Sequence, residues 1–316
     1  MATSRRFAAR AVAEGLVEVP LAVQPNIILR WIKAARLYQW VKNILIFVPA
    51  VMSHAILKPE VFLTCVTAFV AFGLCASSVY IINDLFDLEA DRAHPRKRFR
   101  PFAAGTLSVR SGIIAAILLI ASSAGLALAI GWEFAAVLCG YYVMTWAYSM
   151  RLKQAALVDV MTLAGLYTLR IIAGTAANQI APSFWLLAFS IFIFLSLGFV
   201  KRYEELDTAR KTGRFVGSER GYFDADLSLI VNLGIAAGYS AIVVVALYVN
   251  SADSQLLYHH NRLLWLICPL LLYWISRVWL LATRGHMHDD PIVFALKDWR
   301  SLMVFGLLVL CVAVST

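Results

Sequence analysis

The chain is poor in charge and has no patterned cysteine. Asp, Glu, Lys and Arg make up 15% of its 316 residues, against about 25% in a soluble globular domain, so the solvated shell of such a domain is missing. The five cysteines (Cys65, Cys75, Cys139, Cys268 and Cys311) stand singly inside apolar stretches, with no Cys-x-x-Cys and no short metal-ligand spacing. That excludes a disulfide scaffold and a zinc module, and the cysteines read as small buried hydrophobes. The first 25 residues are basic but lack the apolar core and small-residue cleavage site of a signal peptide. They read as a surface-lying arm attracted to anionic headgroups. What the chain has in excess is apolar surface: 61% of its residues are hydrophobic, in long blocks rather than the alternating runs of strands. Disorder and a collagen-like fibre are excluded, and an all-α polytopic membrane protein is predicted.

A run of roughly 17 to 25 apolar residues crosses the hydrocarbon core as a helix. Nine segments fit or nearly fit, near residues 43–57, 60–83, 110–130, 132–150, 155–176, 182–200, 227–249, 262–283 and 300–316. The third and fourth, and the fifth and sixth, are joined by very short links and should form antiparallel hairpins. The predicted organisation is a basic arm over residues 1–33 followed by a transmembrane domain over 34–316.

The net charge of +9 raises the possibility of nucleic acid, and the placement of the charges decides against it. With nine spans, 25 of the 28 Lys and Arg residues fall on the N-terminal side of the bundle; Lys58 and Arg262 lie opposite and Arg170 lies inside a span. By the positive-inside rule that side faces the cytoplasm of a cell membrane and the C-terminus lies outside. A basic face on a soluble fold, as nucleic-acid binding requires, is not what this pattern gives.

The connection after the second span runs Asn83-Asp84-x-x-Asp87-x-x-x-Asp91 and then His94-Pro-Arg96-Lys97-Arg98-Phe-Arg100-Pro101. On a helix, Asn83, Asp87 and Asp91 are four apart and Asp84 is three before Asp87, so the oxygen-bearing side chains share a face. Like charges so placed repel, and a cation among them would relieve this. Hard oxygen donors without interleaved His or Cys favour Mg2+. The alternative is a polar helix end whose acids pair with the Arg and Lys residues that follow. In either case a basic run beside acids suits a polyanion, since Arg offers planar forks and Lys a compact charge to phosphate.

This acidic motif resembles the first aspartate-rich motif of the UbiA superfamily of intramembrane prenyltransferases, and the resemblance covers nearly the whole chain after about residue 33. It implies a bundle of nine transmembrane helices, with Asn83, Asp84, Asp87 and Asp91 holding Mg2+ on a diphosphate and Asp84, Asp87 and Asp91 as the catalytic acids. Other segments are similar to the decaprenyl-phosphate phosphoribosyltransferase branch: Arg36 to Asn43, His94 to Pro101, Tyr148 to Lys153, Asp159, Arg170 to Gly174, Lys201 to Leu206 and Asp289 to Asp298. That branch implies transfer of phosphoribosyl from phosphoribosyl diphosphate to a polyprenyl phosphate, releasing diphosphate. The substrate-binding residues expected on this basis are Gln39, Lys42, Asn43, Lys97, Arg98, Arg100, Tyr148, Lys153, Asp159, Arg170, Lys201, Arg202, Glu204 and Glu205.

One departure is informative. Aromatic-prenylating members carry a second Asp-x-x-x-Asp motif at the end of the sixth span, where this chain has Lys201-Arg202-Tyr203-Glu204-Glu205. A mixed basic and acidic cluster suits a donor with an additional phosphate. Arg170 is read either as a phosphate contact or as the partner of Asp159 or another acid, and Asp159 either as a ligand for substrate hydroxyls or as the partner of Lys153. His94, His286 and His288 read as solvated, and Trp185 and Trp265 as interface anchors. Two other functions compete: prenyl transfer from a prenyl diphosphate to a small acceptor, and transport along the intramembrane charges. Lipid length, the lipid groove and the oligomeric state are not legible in apolar helices.

Overall fold

A computed structural model describes residues 26–211, 213, 220–287 and 290–315 of the chain. Arg5, Arg6, Arg10, Arg214, His288 and Asp289, which enter the charge and motif patterns above, lie outside the described residues. Among the described residues the regular structure is entirely helical.

The chain enters through α1 (Ile27–Ala34), whose Ile27, Ile28, Leu29 and Ile32 are exposed while Ala34 is buried. This short helix packs Trp31 edge-on against Phe102, so the last part of the predicted arm belongs to the bundle. The predicted first span over 43–57 is not a single helix. It is a 3-10 stretch, Leu37–Phe47, followed by the short α2 (Val48–Met52). Eleven residues is long for this geometry, because its hydrogen bonds are poorer than those of an α-helix. Packing explains it. A Cβ at Gly73 would run into the Trp40 ring, and one at Gly174 into the Ile46 carbonyl. The two glycines let the stretch lie directly against two neighbouring helices.

Those neighbours are α3 (Pro59–Phe86) and α7 (Val158–Asn178). After α3 come α4 (Leu88–Ala93), α5 (Val109–Ile130) and α6 (Trp132–Met150), then α7 and α8 (Phe184–Lys211). The chain continues through α9 (Leu227–Val249), α10 (Ala252–Leu257), α11 (Ile267–Thr283), α12 (Pro291–Lys297) and α13 (Trp299–Ser315). The most extensive packing is α8 on α9 and α3 on α5. It is fastened by hydroxyls donating across helices: Ser78 to Ala116 O at 2.9 Å, Ser123 to Ala71 O at 2.7 Å and Ser196 to Gly234 O at 2.7 Å. Small and hydroxylated residues fill this role where lipid removes the usual hydrophobic drive between helices.

Six helices are long and apolar enough to cross a membrane, and a seventh pass results if α12 and α13, bent by 83° at their break, form one. α6 has the length, but Glu133 and its many Tyr and Trp residues keep its mean hydropathy below that of the six. At the bend, Arg277 forks onto both oxygens of Asp298 at 2.6 and 2.9 Å.

The predicted alternation of connections is visible in the contacts. At one end, α1 meets the α4–α5 loop through Arg30 and Thr106 O, Lys42 meets Asp290, and Arg220 meets Tyr148. At the other end, His260 N donates to Ser315 O and Trp185 Nε1 to Asp253. The chain therefore finishes at the end opposite its basic connections. Both 28-residue helices, α3 and α8, are about 42 Å long at 1.5 Å per residue, more than the roughly 30 Å of hydrocarbon. Their surplus turns carry the acidic motif and the Lys201 segment toward that basic end.

Of the cysteines, Cys65 and Cys75 are buried, whereas Cys139 is exposed and Cys268 and Cys311 are partly exposed; all are free thiols. Apolar surroundings in a bundle of this kind include its outer face as well as its core.

Candidate active site

The acidic motif is built on the end of α3. Asp87 closes that helix and opens α4 without breaking the ladder, since Asp87 N bonds Asn83 O at 3.0 Å and Asp91 N bonds Asp87 O at 2.8 Å. The face predicted from spacing is thus kept, but its members differ in environment. Asp84 and Asp91 are buried, Asp87 is exposed, and Asn83 donates to Ser149 at 3.1 Å. The cation among the buried acids is a guanidinium. Arg100 Nη1 reaches Asp84 Oδ1 at 3.1 Å and Asp91 Oδ2 at 2.7 Å, and Arg36 Nη2 reaches Asp84 Oδ1 at 2.6 Å. Arg36 also lies over the Tyr80 ring at 4.8 Å.

Among the described residues no three His, Cys, Asp or Glu side chains form a ready metal cluster. The donor set nevertheless suits a hard divalent cation, because Asp91 Oδ1 is buried without a partner and every donor is oxygen. Lys97 and Arg98 occupy an exposed 3-10 turn, where Arg98 stacks on Phe99. His94, expected to be solvated, shapes this loop instead, because its Nδ1 accepts from Arg96 N and Lys97 N.

A second group assembles around Asp290, a residue that the sequence patterns did not place in the site. Its Oδ2 accepts from Lys42 Nζ at 2.7 Å, lies 3.7 Å from Lys201 Nζ, and is 3.5 Å from the Tyr167 hydroxyl, while its Oδ1 caps α12 through Ile292 N. Burial alone would raise this carboxyl, but the two lysines pull it below the ordinary carboxylate range. A cavity of about 620 Å3 opens beside Asp290, lined also by Tyr38 and Gln39, and Gln39 Oε1 is buried without a hydrogen-bond partner. No local signal could have found Asp290 beside Lys42, because 248 residues separate the two.

Arg170 is not the partner of Asp159. It donates to Asn43 Oδ1 at 3.0 Å, the Tyr141 hydroxyl at 3.0 Å and Leu166 O at 2.6 Å, and its guanidinium faces the Tyr141 and Tyr167 rings. Asn43, read as a substrate contact, is buried and ties Arg170 to Phe69 O of α3.

Asp159 likewise holds neither Lys153 nor Arg170. It pairs with Arg202, both side chains fully buried, and accepts from Tyr222 Oη at 2.7 Å. Burial, and then the Asp159 carboxylate it serves, raise the Tyr222 hydroxyl well above its usual range. Arg202 also pairs with Glu205, so its guanidinium is committed to the fold rather than presented to a ligand. The same Tyr222 hydroxyl accepts from Leu157 N at 2.8 Å. Leu157 has φ +66° at a three-residue turn closed by Val158 N and Ala156 O, a strained conformation held by that bond. Arg220 approaches Glu205 at 3.5 Å and Tyr148 Oη at 3.3 Å. Lys153 and Glu204 are partly exposed at the same end.

At the opposite end an apolar cavity of about 480 Å3 lies between α2, α8, α9, α11 and α13, lined by Pro49, Met52, Trp185, Tyr248, Leu271 and Val312 among others. Trp185, expected as an interface anchor, turns its ring toward Tyr248 here.

Against this geometry stand the known proteins. The model of the UbiA prenyltransferase family matches residues 44–312. An uncharacterised protein of Sinorhizobium fredii is 41% identical over 285 residues, covering 88% of this chain and 54% of its own length, so the chain spans about half of that relative. The nodulation protein NoeC of Azorhizobium caulinodans is 35% identical over 284 residues, covering 87% of this chain and 90% of the relative. A decaprenyl-phosphate phosphoribosyltransferase of Mycolicibacterium smegmatis is 32% identical over 290 residues, covering 88% and 90%. In solved structures the fold recurs in a digeranylgeranylglyceryl phosphate synthase, with TM-score 0.64, 14% identity and 91% and 98% of the two chains covered. It recurs again in a UbiA homologue from Archaeoglobus fulgidus bound to GPP and Mg2+, with TM-score 0.62, 17% identity and 89% and 97% covered.

Proposed function

Because the chain belongs to the UbiA prenyltransferase family, a family of membrane transferases, we propose that it transfers 5-phosphoribosyl from phosphoribosyl diphosphate to a polyprenyl phosphate such as decaprenyl phosphate. The observation that carries this reading is the pairing of Lys42 and Lys201 on Asp290, with Lys201 at the helix end where, by the resemblance, aromatic-prenylating members carry a second acidic pair. A phosphate on the donor sugar calls for cations at that place, and likeness to the mycobacterial phosphoribosyltransferase over most of both chains supports the same donor.

In this reading the 3-10 stretch with α2, and α6, count as passes beside the six long helices and the bent pair, giving nine. Residues 1–33 are the arm, its last residues packed on the bundle through Trp31, and 34–316 the transmembrane domain. The basic end faces the cytoplasm of the inner membrane.

Asn83, Asp84, Asp87 and Asp91 would hold Mg2+, which when bound supplies positive charge to a diphosphate leaving group. Lys42 and Lys201 meet the donor's phosphate, with Lys153 and Lys97 at the rim. The bond from ribose C1 to the diphosphate oxygen breaks, and a bond from C1 to the lipid phosphate oxygen forms. A phosphate monoester is already anionic near neutral pH, so the chain need not supply a strong base, and its residues act by positioning and electrostatics. The apolar cavity behind Trp185 offers room for isoprene units.

Purified protein incubated with labelled phosphoribosyl diphosphate, or separately with labelled prenyl diphosphate, tests the reading. Label should pass from the first to polyprenyl phosphate. Transfer only from the second would replace this reading by prenyl transfer, and transfer from neither would leave transport.

A further inference from the structure

We propose that Asp290 is a positioning residue for the donor's phosphate: it draws the ammonium groups of Lys42 and Lys201 onto one carboxylate oxygen, so that a phosphorylated ligand meets them as a pair. The identity of the ligand rests on the transfer reading above; its class, an oxyanion of two or more charges, rests on the cluster itself.

Two observations carry the proposal. First, Lys42 is buried, its side chain 10% exposed, and a buried ammonium needs a counter-charge to stay ionised and in place. Asp290 is that counter-charge at 2.7 Å, and with one proton given to it the ammonium keeps two to donate. Lys201 is one-third exposed and stands 3.7 Å away, too far for a good hydrogen bond. It is drawn toward Asp290 by charge while its donors stay free to engage another acceptor.

Second, the carboxylate is itself anchored. Asp290 Oδ1 caps α12 by accepting from Ile292 N at 3.2 Å, with Pro291 beginning the helix. The oxygen that faces the lysines is therefore set by a backbone element and does not drift with a loop. Asp290 also lines the cavity of about 620 Å3 with Gln39, which gives the rest of the ligand room beside the carboxylate that gathers the ammonium groups.

The cap makes the test clean, because Asn caps a helix as well as Asp does and Asp290→Asn removes only the charge. Inorganic diphosphate is titrated calorimetrically into the detergent-purified full chain, and donor and acceptor KM are measured in the transfer assay. Asp290→Asn should weaken diphosphate binding by about tenfold and raise the donor KM by a similar factor, leaving the acceptor KM unchanged and lowering the melting temperature only by what the lost ion pair contributed. Asp290→Glu, which restores the charge but caps poorly, should recover much of the donor KM while lowering the melting temperature. In a Lys42→Met background Asp290→Asn should add less than it costs in the wild type, because only the Lys201 arm of the cluster is then left to lose. If Asp290→Asn does not fold, Asp290→Ser keeps a cap and takes its place in the cycle.

Unchanged diphosphate binding overturns the proposal. So does tighter binding, which would make the carboxylate a competitor of the phosphate, and so does a loss shared by both substrates that Glu does not rescue. A wild-type chain that binds diphosphate through Asp290 yet transfers nothing from phosphoribosyl diphosphate would sink the transfer reading and leave this one standing.

Discussion

Arg100 and Asp91 meet through a single nitrogen and oxygen at 2.7 Å, and the same nitrogen lies 3.1 Å from Asp84. One guanidinium thus bridges two buried carboxylates on the face where spacing predicts a cation. The charge that the spacing assigns to a metal is supplied, in this arrangement, by the basic run nine residues further on.

Arg100→Ala should therefore lower the melting temperature in EDTA, since it leaves Asp84 and Asp91 as buried like charges. Breaking such a contact costs about 3–5 kcal/mol when the remaining charge has no other partner; Arg36 remains on Asp84 and should keep the loss toward the lower figure. Mg2+ should stabilise the variant more than the wild type, because a cation that binds only the folded state adds stability by mass action. Equal Mg2+ shifts in the two proteins would count against a metal at these acids.

Asp87→Asn and Asp91→Asn address the chemistry directly. Each should reduce transfer from phosphoribosyl diphosphate by about a hundredfold or more, the scale seen when a group that stabilises developing charge is removed. Chelation of the wild type should give a comparable loss, reversed by Mg2+. Undiminished turnover in either variant sinks the metal assignment.

Arg202 makes a different forecast, because it is fully buried against Asp159. Arg202→Met should lower stability by about 3–5 kcal/mol, seen as a fall in the detergent melting temperature. Adding Asp159→Leu should recover part of the loss, since no orphan charge then remains. A well-folded Arg202→Met with a raised donor KM would instead make Arg202 a ligand contact.

Gly174→Ala tests the seat of the 3-10 stretch, where an added Cβ meets the Ile46 carbonyl. Overpacking of this sort costs about 1–3 kcal/mol. Lys42 and Asn43 lie on the displaced stretch, so donor KM should rise along with the loss of stability. Gly125→Ala, at a position open on all sides, should do neither.

The Asp290 carboxyl lies below its ordinary range, and the sign of its pH effect follows. A depressed carboxylate adds stability that is complete above the unfolded value, about 3.9, and is lost as pH falls through the folded value. The difference in melting temperature between wild type and Asp290→Asn should stay flat from neutral pH down to that range and shrink only below it. A difference that vanished near pH 6 would contradict the ion pair.

The bundle, the one-sided basic connections and the acidic end of α3 were legible because each is written locally, in apolar length, charge placement and four-residue spacing. The broken first pass was not, since residues 43–57 have the composition of a helix and the break comes from Trp40 on Gly73 and Ile46 on Gly174. Nor were the partners of the buried charges. Asp159 stands six residues from Lys153 and eleven from Arg170 in sequence, yet takes Arg202 and Tyr222 from helices and loops that fold back over it. Nearness in sequence suggested the wrong pairs because α7 carries its side chains away from their chain neighbours.

The Lys42–Asp290 contact joins the first apolar pass to the start of the last across 248 residues. A chain that inserts from its N-terminus as it is made has its acidic motif in place before half its length is synthesised, but has no paired lysines until the segment after α11 arrives. A nascent or truncated chain ending before residue 290 could lodge most of its helices in the bilayer and still lack the lysine pair that the proposed transfer requires. Under that proposal, competence is withheld until synthesis is nearly complete.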